Sequence, residues 1–433
     1  MIVSPQVPLH RLILSLSEAL DHVHPKVADH QQRVAYIAAS MARDMGFREQ
    51  DLVDVFHAAA LHDIGLIGVE NRVKALHLGQ LEQVDWHAEA GFELLRENPL
   101  FARPAEILRH HHVPWNDGHG TENHGRAVPL ASHVLVLADA IEVAIDRHAS
   151  ILSQTKTLTE KVVSLSGKQF HPECVEAFRA VSRPEAFWLD ITSPRIYAVL
   201  LKTIDWPVLH VDEIALRPIA EVFARIVDAA SPWTAVHSAG VAATAVALAK
   251  HLNFSPREQH LMRAAGYLHD LGKLSVPTRI LDKPDRLTPE EFNAMRAHTY
   301  HTFRLLDTIG GMPQISEWAA FHHERLDGSG YPFRHRAADL TLGSRIMAVA
   351  DVFTALTEER PYRSGMSTER ALEVLQKLAD QGALDGEVIH SLARGQAEVD
   401  ELRRNEQAEY GARQHELRNM MSGSRDLAEQ QVG

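Results

Sequence analysis

Cysteine is nearly absent from this sequence. Cys174 is the only one among the 433 residues, so no disulfide bond can form within the chain. Chains without disulfides are typical of a reducing compartment, and we expect a cytoplasmic location. Long apolar runs are lacking too, because the most apolar early stretch, residues 9–20, is short and contains Arg11 and Glu18. We therefore expect neither a secretion signal nor association with a membrane.

Excess positive charge and strand-forming patterns are also lacking. The formal net charge is −13. Because a long polyanion needs a basic face that displaces its counterions, we expect no polymeric nucleic acid partner, whereas a small phosphate ligand is compatible with this charge.

Apolar residues recur at helical spacing in 34–41, 52–61, 241–252 and 372–378, while alternating patterns are few. The sequence therefore predicts an all-α protein.

A ladder of histidines and aspartates occurs twice along the chain, in the same order. The interval from the first histidine to the second is identical in the two copies, and so is the interval from the third histidine to the adjacent pair of histidines. The copy in the second half consists of His237, His269, Asp270, His298, His322, His323 and Asp351. The copy in the first half consists of His30, His62, Asp63, His87, His111, His112 and Asp139. This register predicts a duplicated helical unit.

The residue types of the ladder indicate metal binding. Neutral imidazoles and carboxylates together suit divalent transition metals such as Fe, Mn or Ni. In the second copy we expect Asp270 to bridge two ions. One ion would be held by His237, His269 and Asp351, and the other by His298, His322 and His323. Two ions roughly 3.5–4 Å apart activate a water for phosphoryl displacement, which predicts a phosphohydrolase.

Two capping boxes place ligands of the second copy on helices. Ser255-Pro256 is followed by Glu258, and Thr288-Pro289 is followed by Glu291. Each pairs a capping hydroxyl with a glutamate three residues later and has proline at the first helical position. We expect the first helix to carry the His-Asp pair at its end, with Gly272 as the terminator.

Several spaced motifs closely resemble the HD-GYP domain. Residues 268–273 read LHDLGK and residues 322–332 read HHERLDGSGYP, and the match continues through Asp351 and the RPYR of 360–363 over roughly residues 215–395. The resemblance implies a bundle of helices with a two- or three-metal centre that hydrolyses cyclic dinucleotides, most often cyclic di-GMP, to the linear dinucleotide. It also implies that Lys273 contacts the scissile phosphate. The substrate groove would be lined by Gly330, Tyr331, Pro332, Arg360 and Arg363.

Three positions depart from that family pattern. Where members with a third metal carry a glutamate and a second aspartate, this chain has Trp233 and Thr354. We therefore expect two metals, and the resemblance then implies slow or absent cleavage of the linear product. Thr302 stands where the family usually has glycine, a change expected to alter helix packing beside the site.

The first copy resembles a plain HD domain. Leu66 stands where the second copy has Lys273, and no Gly-Tyr-Pro follows the paired histidines. A neutral leucine cannot balance charge on a phosphate, so we expect this copy to bind metal or a regulatory ligand, or to brace the second. Glu142, at the position that matches Thr354, is either an extra ligand or a surface acid.

Together these features predict two tandem HD-type helical bundles with metal centres, joined by a helical linker. The expected boundaries are 1–205 for a divergent HD-like domain, regulatory or structural, 206–396 for the HD-GYP catalytic domain, and 397–433 for a charged helical or partly disordered tail, with the junction near Trp206-Pro207. The leading hypothesis is a phosphodiesterase for cyclic di-GMP or 3'3'-cyclic GMP-AMP. The alternatives are a non-catalytic module that binds nucleotide or signalling proteins through the Gly-Tyr-Pro loop, and hydrolysis of another phosphoester by the first copy. A homodimer is left open.

Overall fold

The computed structural model describes residues 7–21, 29–66, 85–203, 210–229, 235–359 and 364–430. Most of these residues are α-helical, which confirms the all-α prediction. The strands found among them have two residues each and are β1 Val7–Pro8, β2 Glu122–Asn123, β3 Arg126–Ala127 and β4 His210–Val211. None of the helices within these ranges combines the length and hydropathy that a bilayer-spanning segment needs.

The helices are numbered in chain order. Up to residue 203 they are α1 Leu9–Asp21, α2 His30–Asp44, α3 Glu49–Leu61, α4 Asp85–Leu95, α5 Ala102–Arg109, α6 Leu130–Val143, α7 Thr155–Ser164, α8 Pro172–Val181, α9 Glu185–Ile191 and α10 Ile196–Thr203. From residue 210 they are α11 Glu213–Ala229, α12 His237–His251, α13 Pro256–Leu268, α14 Thr278–Leu281, α15 Pro289–Ile309, α16 Pro313–Ala320, α17 Leu342–Thr357, α18 Thr368–Asp380, α19 Gly386–Arg394 and α20 Gln396–Gln430. Short 3₁₀ turns cover Asn116–Thr121, Ile151–Ser153 and Leu271–Ser275.

The chain forms two compact units. The N-terminal unit comprises residues 16–209 with 420–433, and the C-terminal unit comprises residues 1–15 with 210–419. Within the N-terminal unit α2 packs against α3 and α6, and within the C-terminal unit α12 packs against α13 and α17. The same helices of each copy therefore pair, as the duplicated ladder predicts.

The two capping boxes confirm the predicted helix starts. Ser255 caps α13 and Thr288 caps α15, each accepting a hydrogen bond from the backbone N–H three residues later. The Glu258 and Glu291 carboxylates in turn accept a hydrogen bond from the backbone N–H of the capping residue, so two backbone donors at each helix start are satisfied. These caps fix where the helices before the His-Asp pair and around His298 begin.

The units differ from the expected boundaries at both ends. Val7 pairs with Val211 and Pro8 with His210 in an antiparallel ladder, which joins the first strand to the C-terminal unit. Residues 397–419 belong to that unit as well. Helix α20 buries Val399 and Tyr410, so this part of the charged tail is a packed helix. The predicted junction near residues 206–207 and the linker around it lie outside the described residues.

Hydrogen bonds explain why the polar helix α20 is packed. The Tyr410 hydroxyl donates to Asp228 at 3.0 Å, and the Gln414 amide donates to the Arg225 carbonyl at 3.0 Å. Buried polar groups are tolerated where such partners exist. The sequence of the tail does not reveal this packing, because the residues that make the contacts are polar and look like solvent-exposed ones.

Candidate metal centre

The His-Asp pair of the C-terminal unit lies just beyond the end of α13. His269 follows the last helical residue, Leu268, and Asp270 precedes the 3₁₀ turn Leu271–Ser275. Gly272 is not in the left-handed conformation of a helix terminator, so that expectation is wrong. The glycine is needed because a Cβ at this position would clash with the His298 carbonyl oxygen of α15. The close approach brings His298 to the pair.

Thr302 fixes this turn. Its hydroxyl accepts a hydrogen bond from the Gly272 N–H at 2.9 Å and donates one to the His269 carbonyl oxygen at 3.0 Å. The side chain is fully buried. The threonine therefore serves the helix packing beside the site, in place of the glycine that the resemblance leads one to expect.

Three histidines of the site point the same nitrogen toward its centre. The Nδ1 atoms of His269, His298 and His322 donate to the carbonyl oxygens of Gly266, Met295 and Ala319, each three residues earlier, at 2.7, 2.6 and 2.6 Å. A carbonyl only accepts, so Nδ1 carries the proton and Nε2 keeps its lone pair. This is the tautomer that a metal-ligating imidazole needs.

The structure brings all seven predicted residues of the second ladder together. Six of them form two groups of three, and within each group the ligand atoms all lie within 4.8 Å of one another. The groups are His237, His269 and Asp351, and His298, His322 and His323. Each of the two groups can hold a metal ion, as the sequence analysis expects.

Asp270 lies between the two groups. Its Oδ2 is 3.2 Å from His269 Nε2, and its Oδ1 is 3.4 Å from His298 Nε2. His269, Asp270 and His322 also form a third cluster with ligand atoms within 4.8 Å. The two carboxylate oxygens therefore face different groups, which is the geometry of a bridging ligand.

Burial and charge set the protonation of the site. Burial lowers the pKa of His298 to about 3 and holds the pKa of His322 well below its usual value, so both imidazoles are neutral. Burial would raise the pKa of Asp270, but the neighbouring His269 imidazole and Lys273 ammonium outweigh it and hold that pKa well below its usual range. Burial lowers the pKa of His237, yet hydrogen bonds to Asp351 and Glu358 outweigh it and raise it to about 10. An ion that binds His237 therefore displaces a proton.

A cation and an aromatic loop lie beside the two groups. The Lys273 ammonium is 2.5 Å from Asp270 Oδ2, and the Tyr331 ring centre is 5.0 Å from that of His323. The Arg296 guanidinium lies over the Tyr331 ring, 4.7 Å from its centre. Arg360 and Arg363, the other expected substrate residues, lie outside the described residues.

Glu324 organises the Gly-Tyr-Pro loop, and sequence reasoning missed it. Its buried carboxylate accepts hydrogen bonds from the backbone N–H groups of Phe333, Arg334 and His335 at 2.7, 3.1 and 3.0 Å. Gly330 approaches so closely that a Cβ would lie 2.5 Å from the Glu324 Cα. The available signal was the position of Glu324 directly after the paired histidines. An acid so close to a buried site is expected to be buried itself and to need hydrogen-bond donors nearby.

The N-terminal unit contains a matching cluster. Its ligand atoms also form two groups within 4.8 Å, namely His30, His62 and Asp63, and His87, His111 and His112. Asp139 Oδ1 lies 3.5 Å from His30 Nε2 and 3.7 Å from His62 Nε2. The Nε2 atoms of His111 and His112 both lie 3.1 Å from His87 Nε2, so both paired histidines of the first copy reach the cluster.

Two residues distinguish this cluster from the other. Leu66 is buried where the C-terminal unit has its lysine. Glu142 is buried and is no surface acid, since its carboxylate is 2.6 Å from His30 Nδ1 and also pairs with Arg33 and Arg147. The N-terminal cluster thus has the metal-binding residue types, with Leu66 in place of the lysine.

Comparison with known proteins gives the family. Two HD-domain models match the chain, over residues 27–144 and 221–388. The 3'3'-cGAMP-specific phosphodiesterase 1 of Vibrio cholerae is 31% identical over 92% of this chain and 94% of its own length. The 3'3'-cGAMP-specific phosphodiesterase 3 of the same organism is 26% identical over 86% and 91%.

A third relative matches only part of the chain, and one solved structure matches nearly all of it. A cyclic di-GMP phosphodiesterase of Pseudomonas aeruginosa is 37% identical over 37% of this chain and 39% of its own length. The crystal structure of a cyclic GMP-AMP-specific phosphodiesterase of V. cholerae superposes with a TM-score of 0.62 at 25% identity, covering 91% of this chain and 98% of the other. With two HD domains, a Gly-Tyr-Pro loop in the second and a relative aligned along nearly its whole length, the chain belongs to the HD-GYP phosphodiesterases.

Proposed function

We propose that the protein hydrolyses a cyclic dinucleotide in its C-terminal unit, with 3'3'-cyclic GMP-AMP preferred over cyclic di-GMP. The observation that carries the proposal is the pair of three-residue groups joined by Asp270, with the Lys273 ammonium beside them. The relatives aligned over most of the chain are named for cyclic GMP-AMP, whereas the P. aeruginosa cyclic di-GMP enzyme aligns over 37% of it. The names of the two relatives that align over most of the chain support the preferred substrate.

The donor set fits two divalent transition-metal ions such as Fe, Mn or Ni. One would be held by His237, His269 and Asp351, and the other by His298, His322 and His323, with Asp270 between them. When bound, such ions supply an activated water and positive charge at the reacting phosphate. Thr354, at the position expected of a third-metal ligand, is fully buried and its hydroxyl lies 3.4 Å from that of Thr244, which supports two ions. Trp233, at the other such position, lies outside the described residues.

The chain's own residues prepare the site for a phosphodiester. Lys273 carries a positive charge beside Asp270 and can neutralise a phosphate oxygen. Tyr331 and Arg296 present an aromatic face and a guanidinium at the edge of the same site. The ring can stack on a nucleobase, and the guanidinium can stack on one or donate a pair of hydrogen bonds to it. Arg360 and Arg363 stay predicted substrate contacts.

Product analysis tests the proposal. Full-length protein loaded anaerobically with Mn²⁺ or Fe²⁺ should convert both cyclic dinucleotides to the linear forms, cyclic GMP-AMP faster, with slow or no release of mononucleotides. The measurement is chromatography with mass detection on the sample whose metal content is determined. Metal-replete protein that cleaves neither compound would reject the function, and faster cleavage of cyclic di-GMP would reverse the preference.

We also propose that the N-terminal unit binds metal without hydrolysing the cyclic dinucleotide. Asp63 lies near ligand atoms of both N-terminal groups, with Oδ2 3.5 Å from His62 and Oδ1 3.2 Å from His87. Asp63→Ala is therefore expected to lower the bound metal by about one ion per chain or more. Metal analysis of wild-type and variant protein checks this, with Asp117→Ala on the exposed 3₁₀ turn as control. Equal metal content in all three would leave only a bracing role for the cluster.

Partners and location stay predictions. Phe292 and Phe333 are 47% and 36% exposed beside the Gly-Tyr-Pro loop, and exposed aromatic rings are typical of contact surfaces. They support signalling partner proteins at that loop. A homodimer and a cytoplasmic location rest on the sequence alone.

A further inference from the structure

The first histidine of the C-terminal ladder lacks the support that its neighbours have. His237 is the first residue of α12, so its own helix offers no carbonyl oxygen one turn earlier. His269, His298 and His322 each use such a carbonyl to hold Nδ1. An imidazole without a partner for its second nitrogen can rotate or adopt the other tautomer, and both changes weaken a metal ligand.

Glu358 supplies the missing acceptor. Its Oε2 lies 3.2 Å from His237 Nδ1, while His237 Nε2 lies 3.1 Å from Asp351 Oδ1 on the opposite side of the ring. Glu358 is 4% exposed and belongs to none of the groups with clustered ligand atoms. We infer that Glu358 is a positioning residue, which holds the His237 imidazole with Nε2 directed at the metal centre.

The N-terminal unit makes the same contact from another position. His30 is likewise the first residue of its helix, and its Nδ1 lies 2.6 Å from Glu142 Oε2. Glu142 comes three residues after Asp139 and lies within α6, whereas Glu358 comes seven residues after Asp351 and directly follows the last residue of α17. In the C-terminal unit Thr354 occupies the position that matches Glu142. The acceptor differs in position while the contact to the first histidine is kept.

Helix α20 holds the positioning carboxylate from behind. The Gln407 amide donates to the Val236 carbonyl at 3.2 Å and lies 3.5 Å from Glu358 Oε1. The Gln407 carbonyl oxygen accepts from Arg403 at 2.6 Å, which fixes the orientation of the amide. Gly240 makes room for it, since a Cβ there would lie 2.6 Å from Gln407 Nε2. The C-terminal helix thereby reaches His237 through one intervening side chain.

The chemistry predicts a measurable effect on metal affinity. A carboxylate on the far nitrogen of a ligating imidazole fixes the tautomer and raises the basicity of the ligand, and its loss costs roughly 10–100-fold in metal affinity. An amide oxygen at the same place still accepts the Nδ1–H bond but carries no charge. Glutamine should therefore preserve the orientation, whereas alanine should not.

Cobalt binding tests the inference, which rests on the proposed metal centre. Full-length protein in an Asp63→Ala background, so that the C-terminal site dominates, is titrated with Co²⁺ while affinity and the visible d–d spectrum are recorded. Glu358→Ala is expected to weaken binding about 10–100-fold and to change the spectrum, and Glu358→Gln to recover most of both. Gln407→Ala should give a smaller loss in the same direction. Glu359→Ala, a neighbouring exposed acid, is the matched control and should bind as the parent does.

Each outcome has one meaning. Unchanged affinity and spectrum in Glu358→Ala would overturn the inference. Loss of a whole ion that glutamine does not restore would overturn it as well, since Glu358 would then be a ligand. If Glu358→Ala fails to fold, the comparison of Glu358→Gln and Gln407→Ala with the control still decides. A parent protein that takes up no cobalt would instead reject the proposed metal centre itself.

Discussion

Replacement of Asp270 by alanine is expected to abolish hydrolysis of cyclic dinucleotides. Asp270 reaches His269 with one carboxylate oxygen and His298 with the other, so its loss separates the two groups. We expect a decrease in kcat of at least about 10³-fold together with loss of bound metal, because the charge that ions supply at the phosphate depends on both groups being occupied. Turnover and metal content are measured on the same samples.

The same variant also tests which copy is catalytic. The N-terminal ladder stays intact in Asp270→Ala, so residual turnover near the wild-type rate would place the reaction there and contradict the assignment. Asp307→Ala, an exposed aspartate on α15, is the control and should retain full activity. Circular dichroism and the unfolding temperature establish that any loss of activity occurs in folded protein.

Replacement of Lys273 by leucine, the residue of the N-terminal copy, is the second change with a large expected effect. The Lys273 ammonium is the cation 2.5 Å from Asp270 Oδ2, and a leucine offers no charge to a phosphate. Removing one preorganised group that stabilises developing charge costs about 10²–10³-fold in kcat. We expect that loss with bound metal retained, which distinguishes it from the effect of Asp270→Ala.

Two further variants define the role of the lysine. Lys273→Arg keeps the charge and should retain more activity than Lys273→Leu, although the planar guanidinium does not reproduce a compact ammonium. Lys250→Leu removes a lysine that is 62% exposed and paired with Glu398, and should leave hydrolysis unchanged. A Lys273→Leu enzyme with wild-type kcat would exclude a phosphate contact at this position.

Much of the fold follows from local patterns. The capping boxes at Ser255 and Thr288 start their helices where the sequence indicates, because a capping hydroxyl, a proline and a glutamate act within one turn. The equal intervals of the two ladders likewise translate into the same helix pairs in both units. In contrast, the packing of α20 depends on Asp228 and Arg225, which are distant in sequence, so the charged composition alone left a helical or a partly disordered tail open.

In the site, too, some features follow from the sequence pattern and others depend on tertiary contacts. The seven residues of the second ladder lie where the spacing predicts, whereas Gly272 has a steric role that depends on a carbonyl of α15. Thr302 became interpretable only with both of its partners in place. Sequence reasoning missed Glu358 because an acid after the end of α17 resembles any surface acid until His237 is seen beside it.

The sequence by itself determined the helical class, the duplication and the identity of the side chains that cluster at the candidate metal centre. These properties depend on residue type, on helical periodicity and on short-range capping, all of which act along the chain. Only the tertiary structure decided which acids are buried behind His30 and His237, how the terminal helix packs and why a glycine is required at the turn. Those features depend on which helices meet, and the free energy of a buried polar group is set by partners that the chain order does not reveal.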